Sequence, residues 1–161
     1  SQQTELTPEE GNKFIANYFA RFPRVKAYLD EARRRAAELG YVETLLGRRR
    51  YFPELKSDSK VHAGVRAAAE RMAINTPIQG TAADIIKIAM VRLHRALRER
   101  GLGAGMILQV HDELVLEVPE DEVRTVAPLV RDIMEGAYQL DAPLKVDMKV
   151  GKNWLEMEEI H

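Results

Sequence analysis

The sequence predicts an α+β fold in which an antiparallel hairpin packs against long helices. Residues 106–110 and 114–118 alternate apolar and polar side chains around a charged triplet, which predicts the two arms of a hairpin. Residues 142–150 alternate in the same way and predict a further strand, with one side formed by Leu144, Val146, Met148 and Val150. Elsewhere apolar residues recur at helical spacing, so helices and strands interleave along the chain.

The first 60 residues predict two helices, a short hairpin or turn and a polar loop. The sequence Thr-Pro-Glu-Glu at residues 7–10 predicts a capping box with proline in the first turn of a helix. A second helix is expected over residues 24–39, because Gly40 is typical of the position just after a helix. Residues 41–52 predict the hairpin or turn, and residues 53–60 the loop. The first helix carries an apolar stripe formed by Phe14, Ile15, Tyr18 and Phe19.

Residues 61–100 predict one long helix with a bend at Pro77, since an interior proline removes a backbone hydrogen bond and clashes with the preceding turn. Arg71, Asn75 and Gln79 recur every four residues and form a polar row on this helix. The residues around the row are predicted to belong to the core: Ala68, Met72, Ile74, Ile78, Ala82, Ile85, Ile86 and Ala89.

The last helix is predicted over residues 120–138. Its buried face is expected to consist of Val123, Val126, Leu129, Val130 and Ile133. A tight turn in the hairpin is expected to place four apolar residues on one face: Leu108, Val110, Leu114 and Leu116.

The composition is that of a single domain or a large piece of one, with 161 residues, 45% of them apolar and 30% charged. The absence of cysteine excludes disulfides and thiolate metal sites. No apolar run approaches the length of a membrane span, and no secretory leader is recognisable. We therefore expect a cytoplasmic protein without a membrane partner.

Charge is distributed unevenly along the chain. Residues 1–100 carry 19 Lys and Arg against 12 Asp and Glu, a net of +7, whereas residues 101–161 carry 5 against 13, a net of −8. A basic half beside an acidic half could place a polyanion near an acidic, metal-binding site. The alternative is chance segregation of charge on solvated faces.

The hairpin tip, His111-Asp112-Glu113, has two interpretations. Aspartate is common in turns because its side chain hydrogen-bonds nearby backbone. A carboxylate projecting from a stiff hairpin also suits Mg²⁺, which prefers oxygen ligands. One aspartate does not complete a two-metal site, because such a site needs carboxylates that bridge two ions.

The polar row on the long helix also has two interpretations. Arg, Asn and Gln all carry N–H donors. Every base pair presents minor-groove acceptors in nearly the same place, so such a row could grip duplex DNA of any sequence. The alternative is that neighbouring backbone or water satisfies these side chains.

Four stretches together resemble one family. RMAINTPIQGTAADIIKIAM (residues 71–90) and LQVHDELVLEVP (residues 108–119) are similar to the C-terminal part of family A DNA polymerases, the bacterial DNA polymerase I type. GYVETLLGRRRYFPEL (residues 40–55) and VGKNW (residues 150–154) agree with the same family in the same order. The resemblance implies that residues 1–60 form a partial fingers segment, and that residues 61–161 form a partial palm with an antiparallel palm-type sheet.

The resemblance implies a catalytic role for the hairpin tip, which matches the family's motif C. Asp112 matches the aspartate that holds two catalytic Mg²⁺ ions. Glu113 matches the neighbouring acidic residue near the metals, and His111 matches a histidine close to the primer terminus. The implied activity is DNA-directed DNA polymerisation, the transfer of a nucleotide from a dNTP to a primer 3′-hydroxyl by a two-Mg²⁺ mechanism.

The resemblance also implies contacts with primer-template DNA. Arg71, Asn75 and Gln79 match residues that contact the minor groove and template near the insertion site. A second group falls in a basic stretch near the nucleic acid, where phosphate-type contacts are expected: Arg48, Arg49 and Arg50.

The sequence departs from the family in lacking recognisable motifs A and B, which carry the partner aspartate and the nucleotide-binding helix. We therefore expect a C-terminal fragment that is inactive alone and has the missing N-terminal portion of a polymerase as its partner. Without the motif A strand, an uncovered sheet edge would favour a homo-oligomer. The alternative function is a non-catalytic DNA-binding module derived from a palm; a metal-dependent nuclease is less favoured, because no further ligand cluster is visible.

Overall fold

The computed structural model describes residues 7–56 and 59–160 and confirms the α+β class. Its α-helices are α1 (Pro8–Arg21), α2 (Pro23–Leu39), α3 (Ala63–Glu99) and α4 (Val123–Glu135). Its strands are β1 (Tyr41–Glu43), β2 (Arg49–Tyr51), β3 (Gly105–Val110), β4 (Glu113–Glu117), β5 (Met148–Val150) and β6 (Glu158–Ile160). The strands pair as three antiparallel hairpins, β1–β2, β3–β4 and β5–β6.

The described residues fall into two compact units, divided between Gly80 and Thr81. Helix α3 contributes its first half to one unit and its second half to the other. Within the ranges that the structure covers, no helix is long and apolar enough to cross a membrane.

The first helix begins with the predicted capping box. The backbone N–H of Glu10 donates to the Thr7 hydroxyl, and the backbone N–H of Thr7 donates to the Glu10 carboxylate at 2.9 Å. The Thr7 hydroxyl also donates to the Glu10 carboxylate at 2.7 Å, and this bond, followed by the one from the Thr7 backbone N–H, holds the pKa of Glu10 below its usual value. The apolar stripe of α1 is largely exposed: Phe14 shows 67% of its surface, and none of the residues of α1 is buried.

The core of the first unit joins α2, the β1–β2 hairpin and α3. Helix α2 ends as predicted at Gly40, which has a positive φ of 75°. The Gly40 carbonyl then accepts a hydrogen bond from Phe52, which closes the hairpin. Small residues of both helices pack against the hairpin in one buried cluster: Ala36, Val42, Phe52, Leu55, Ala69 and Ala73.

Helix α3 runs without interruption through Pro77 and agrees closely with the predicted range. Several residues expected in the core are exposed, namely Met72, Ile78 and Ala82. Ile78 and Ala82 follow Arg71 and Asn75 by seven residues, which is two helical turns, so they share the exposed face of the polar row. Others of the predicted core set are buried or half-buried: Ala68, Ile74, Ile85, Ile86 and Ala89.

The second unit has a core between the end of α3, the β3–β4 hairpin and α4. Its buried members are Leu93, Leu97, Ala104, Val126, Leu129 and Val130. Helix α4 is shorter than predicted because residues 120–122 form a separate 3₁₀ turn and the helix ends before Gly136. Its face is nevertheless the predicted one, with Val123 and Ile133 half-buried beside the three buried residues.

The faces of the β3–β4 hairpin differ from the prediction. Val110 pairs with Glu113, so the turn holds two residues and Glu113 belongs to the strand. Leu108 then pairs with Val115, which places Leu108 and Val110 on the face opposite to Leu114 and Leu116. Leu114 and Leu116 pack on the core together with Met106. A bulge at residue 107 allows this, because it shifts the alternation of β3 by one residue.

The predicted strand over residues 142–150 is a regular strand only at Met148–Val150. The backbone N–H of Val146 donates instead to the Glu135 carboxylate at 3.0 Å, so a side chain replaces a strand partner there. The alternating burial extends over the whole segment, with Leu144, Val146, Met148 and Val150 half-buried.

Truncation of Leu93 tests the second core. Leu93 is fully buried, so Leu93→Ala is expected to lower the free energy of unfolding by about 2–5 kcal/mol through lost burial and a residual cavity. Val91→Ala is the control, because Val91 is exposed on the same helix. Urea unfolding followed by circular dichroism measures both variants, and equal effects would contradict the assignment of this core.

Candidate functional site

The tip of the β3–β4 hairpin is a two-residue turn formed by His111 and Asp112. His111 has a φ of 55°, and it is the only residue other than glycine with positive φ in the part of the chain that the structure describes. Positive φ at the start of a two-residue turn matches the right-handed twist of the strands. The amide group of Gln109 donates to the His111 carbonyl at 3.0 Å and ties the turn to β3.

Asp112 and Glu113 are exposed at this tip. Asp112 lies in the turn, and Glu113 lies on the hairpin face opposite to the core, beside Val110. Neither carboxylate has a hydrogen-bond or ion-pair partner among residues 7–56 and 59–160. Both therefore keep their oxygen lone pairs available for a ligand, on a base fixed by strand pairing.

The two carboxylates suit Mg²⁺ in ligand type but do not complete a site. Mg²⁺ takes about six oxygen ligands, of which carboxylates commonly supply one or two and water or phosphate the others. No group of three His, Asp or Glu side chains able to hold a metal ion is found in the described portion of the chain. Among the residues that the structure describes, the tip therefore offers two carboxylates without a third side chain to complete a metal-binding group.

The polar row on α3 is exposed to solvent. Arg71, Asn75 and Gln79 are all exposed, and none of the described residues hydrogen-bonds to their side chains. Four residues of helix rise by roughly 6 Å, so the row extends over roughly 12 Å, close to the length of three or four base-pair steps. The exposed side chain of Ile78 lies within the same face.

The three arginines of the β1–β2 hairpin have separate environments. The Arg48 guanidinium donates to the Gly80 carbonyl at 3.0 Å, so it reaches helix α3. Arg50 lies near the same helix, with its guanidinium 3.5 Å from the Thr76 hydroxyl and 3.3 Å from the Met72 sulfur.

Arg49, in contrast, interacts within its own hairpin. It donates to the Glu43 carboxylate at 2.6 Å and lies over the ring of Tyr41. The hydrogen bond to Glu43 raises the pKa of Arg49 above its usual value, so its positive charge is retained at any physiological pH.

The structure brings some predicted residues together. The turn holds His111 and Asp112, with Glu113 next to them, in the second unit. The arginine hairpin and the polar row both belong to the first unit, where Arg48 and Arg50 contact the helix that carries the row.

Gly80 and Thr44 lie where the β1–β2 hairpin approaches α3, and neither residue was predicted from the sequence to have a role there. A glycine in a helix interior costs about 1 kcal/mol relative to alanine, so Gly80 was a signal of close packing.

Comparison with known proteins defines the class. A family model described as DNA polymerase family A matches residues 1–156. The chain belongs to DNA polymerase family A, as its motifs predicted.

Individual relatives carry the name DNA polymerase I. The chain is 51% identical over 159 residues to "DNA polymerase I, thermostable" of Thermus filiformis, covering 99% of this chain and 18% of that protein. It is 53% identical over 156 residues to DNA polymerase I of Pseudomonas aeruginosa, covering 97% of this chain and 17% of that protein. The chain thus spans less than a fifth of the length of these relatives.

A solved structure is also similar: the POL domain of Pol1 from M. smegmatis in complex with a DNA primer-template and dNTP. The TM-score is 0.83 at 49% identity, over 89% of this chain and 25% of that one. The similarity therefore extends from sequence to fold for most of the chain.

Substitution of His111 tests the strained turn. A residue with a Cβ costs roughly 1–2 kcal/mol in the left-handed region, and a β-branched residue is least tolerated there. We expect His111→Gly to keep or raise the free energy of unfolding and His111→Val to lower it by about 1 kcal/mol or more. Urea unfolding measures the order, and a valine variant as stable as the glycine variant would contradict the turn geometry.

Proposed function

We propose that the chain is the part of a DNA-directed DNA polymerase that supplies motif C and part of the DNA-binding surface. The observation that carries the proposal is the exposed pair Asp112 and Glu113 on a two-residue turn in a member of DNA polymerase family A. The reaction would be template-directed transfer of a nucleotide from a dNTP to a primer 3′-hydroxyl.

Within this proposal, Asp112 and Glu113 would hold Mg²⁺, and Asp112 would be the principal ligand. Two bound Mg²⁺ ions supply Lewis-acid stabilisation of the charge that develops on the reacting oxygens. The paired strands β3 and β4 fix where the carboxylates stand, which a metal site requires. His111 would lie near the primer terminus, held there by the conformation of the same turn.

The proposed DNA contact of α3 is made by Arg71, Asn75 and Gln79. Their exposed N–H donors could each reach a minor-groove acceptor, and those acceptors are nearly independent of sequence. A polymerase must handle every template sequence, so a row that recognises groove shape without reading bases suits the task. The exposure of the row supports this use over satisfaction by neighbouring backbone.

We further propose that residues 1–60 belong to the fingers and residues 61–161 to the palm. Arg48, Arg49 and Arg50 would then lie near the phosphate backbone of the bound DNA. A guanidinium has five N–H donors, so the intramolecular bonds of Arg49 and Arg50 leave donors for phosphate.

The proposed partner is the polymerase portion that carries motifs A and B. The incomplete ligand set at the hairpin tip supports this, because a partner aspartate is needed to complete a two-metal site. We expect the 161-residue chain to be inactive without that portion.

Complementation tests the proposal. The chain is mixed with the segment of the Pseudomonas aeruginosa relative that precedes the matched residues, and extension of a labelled primer is followed with Mg²⁺ and dNTPs. Neither piece alone is expected to extend the primer, whereas the mixture is expected to do so. Asp112→Asn should reduce extension by about a hundredfold or more, since it removes charge at the reacting centre.

Asp141→Asn is the matched control, because Asp141 is an exposed aspartate in a different loop of the chain. Extension by the 161-residue chain alone would contradict the incomplete site. Equal effects of the two substitutions would contradict the role of Asp112. Duplex binding by the mixture without any extension would favour the alternative, a non-catalytic DNA-binding module.

Self-association of the chain without its partner is also expected. Among the described strands, β3 and β4 pair only with each other, and Ile107 and Leu108 of β3 are 56% and 50% exposed. Light scattering should show an average mass that rises with concentration, and Leu108→Lys should reduce the rise. A strict monomer at high concentration would contradict this expectation.

A further inference from the structure

The β1–β2 hairpin contacts the segment of α3 that carries Asn75 and Gln79. Arg48 donates to the carbonyl of Gly80, which follows Gln79 directly. Arg50 lies against Thr76, which follows Asn75 directly, and against Met72. The hairpin therefore contacts α3 at residues immediately next to two members of the polar row.

This segment is the least favourable part of α3 for a helix. Thr76, Pro77 and Gly80 all have low helix propensity, and proline has no N–H to donate to the carbonyl four residues before it. The Thr76 hydroxyl donates to the Met72 carbonyl at 2.7 Å, a side-chain bond of the kind that often bends helices. The backbone conformation here depends on outside contacts more than elsewhere in the helix.

Gly80 is required by the close approach of the hairpin. A Cβ added to Gly80 would lie 2.7 Å from the Thr44 methyl group and 3.4 Å from the Arg48 guanidinium. Thr44 is buried, and its backbone and hydroxyl close the turn to Arg48, so it has little freedom to move. A side chain at residue 80 would therefore push the hairpin and its Arg48 contact away from α3.

We propose that Arg48 and Gly80 are positioning residues for duplex DNA binding: the hairpin holds the Asn75–Gln79 segment in the backbone conformation that aims the row at the minor groove. The proposal rests on the proposed DNA contact of that row. For Arg48 it replaces the phosphate contact proposed for the three arginines with a role through the Gly80 carbonyl, and it leaves the phosphate contact to Arg49 and Arg50.

Duplex binding by the 161-residue chain tests the proposal, measured by fluorescence anisotropy with a labelled DNA duplex over a range of salt concentrations. Gly80→Ala changes no charge and favours the helix intrinsically, yet it is expected to weaken binding about threefold to tenfold, the effect of one lost hydrogen bond. Gly64→Ala is the matched control on the same helix: its Cβ would make only an ordinary contact, 3.5 Å from His62, and binding should not change.

A second pair separates positioning from charge. Arg48→Met should weaken binding by a similar factor without changing the salt dependence. Arg49→Met removes the same charge from the same hairpin but breaks contacts with Glu43, Tyr41 and Tyr51, which all belong to that hairpin. If Arg49 contacts a phosphate, its loss should reduce the slope of log affinity against log salt by about 1. Circular dichroism of each variant establishes that the fold is kept.

Combination with Gln79→Ala provides the decisive comparison. If Arg48 and Gly80 act through the row, their substitutions should have much smaller effects once Gln79 is gone, because the effects of coupled residues are not additive. The inference would be overturned if Gly80→Ala bound duplex with unchanged affinity. It would also be overturned if the substitutions of Arg48 and Gly80 weakened binding by the same factor with and without Gln79. Failure of the unsubstituted chain to bind duplex would instead overturn the proposed function and, with it, this role.

Discussion

The structure depends on how side-chain size changes along α3. In its first half, Ala69 and Ala73 face the β1–β2 hairpin, and their small size allows the hairpin backbone to approach the helix closely. In its second half, Leu93 and Leu97 fill the space against α4 and the β3–β4 hairpin. One helix thus contributes to two cores, with alanines in one and leucines in the other, and each core supports a hairpin that carries candidate functional side chains.

Residues that are unfavourable for their local backbone conformation lie beside the candidate functional side chains. His111 adopts a backbone conformation that favours glycine, next to Asp112. Pro77 and Gly80, the residues least suited to a helix interior, flank Gln79. In most proteins such features reduce stability and persist where the surrounding structure enforces them. Their position here, at the hairpin tip and along the polar row, agrees with the proposed function of both places.

Local features of the sequence predicted much of this structure. The capping box of α1, the end of α2 at Gly40 and the buried face of α4 depend on neighbouring residues, and the structure has all three. The predicted faces of the β3–β4 hairpin were wrong. A change of one residue in the length of the turn moves every side chain of the second arm to the other face, and alternation in the sequence does not reveal where the turn begins.

Contacts between distant residues were beyond the sequence. The carbonyl that Arg48 reaches lies 32 residues further along the chain, and no pattern near Arg48 indicates it. The exposure of Ile78 also depends on tertiary packing, since an isoleucine in a helix is usually buried. The candidate site residues were identifiable through motif resemblance, whereas their surroundings required the fold.

The bulge at residue 107 has a consequence for how the hairpin can vary in length. It adds one residue to β3 but none to β4, so Met106 and Gln109 share a face although three positions separate them. Loss of that residue would move every later side chain of β3 to the opposite face of the hairpin relative to Met106. Related chains that keep the carboxylates on the same face are therefore expected to gain or lose residues of β3 two at a time. A change of a single residue is expected only together with a compensating change in β4.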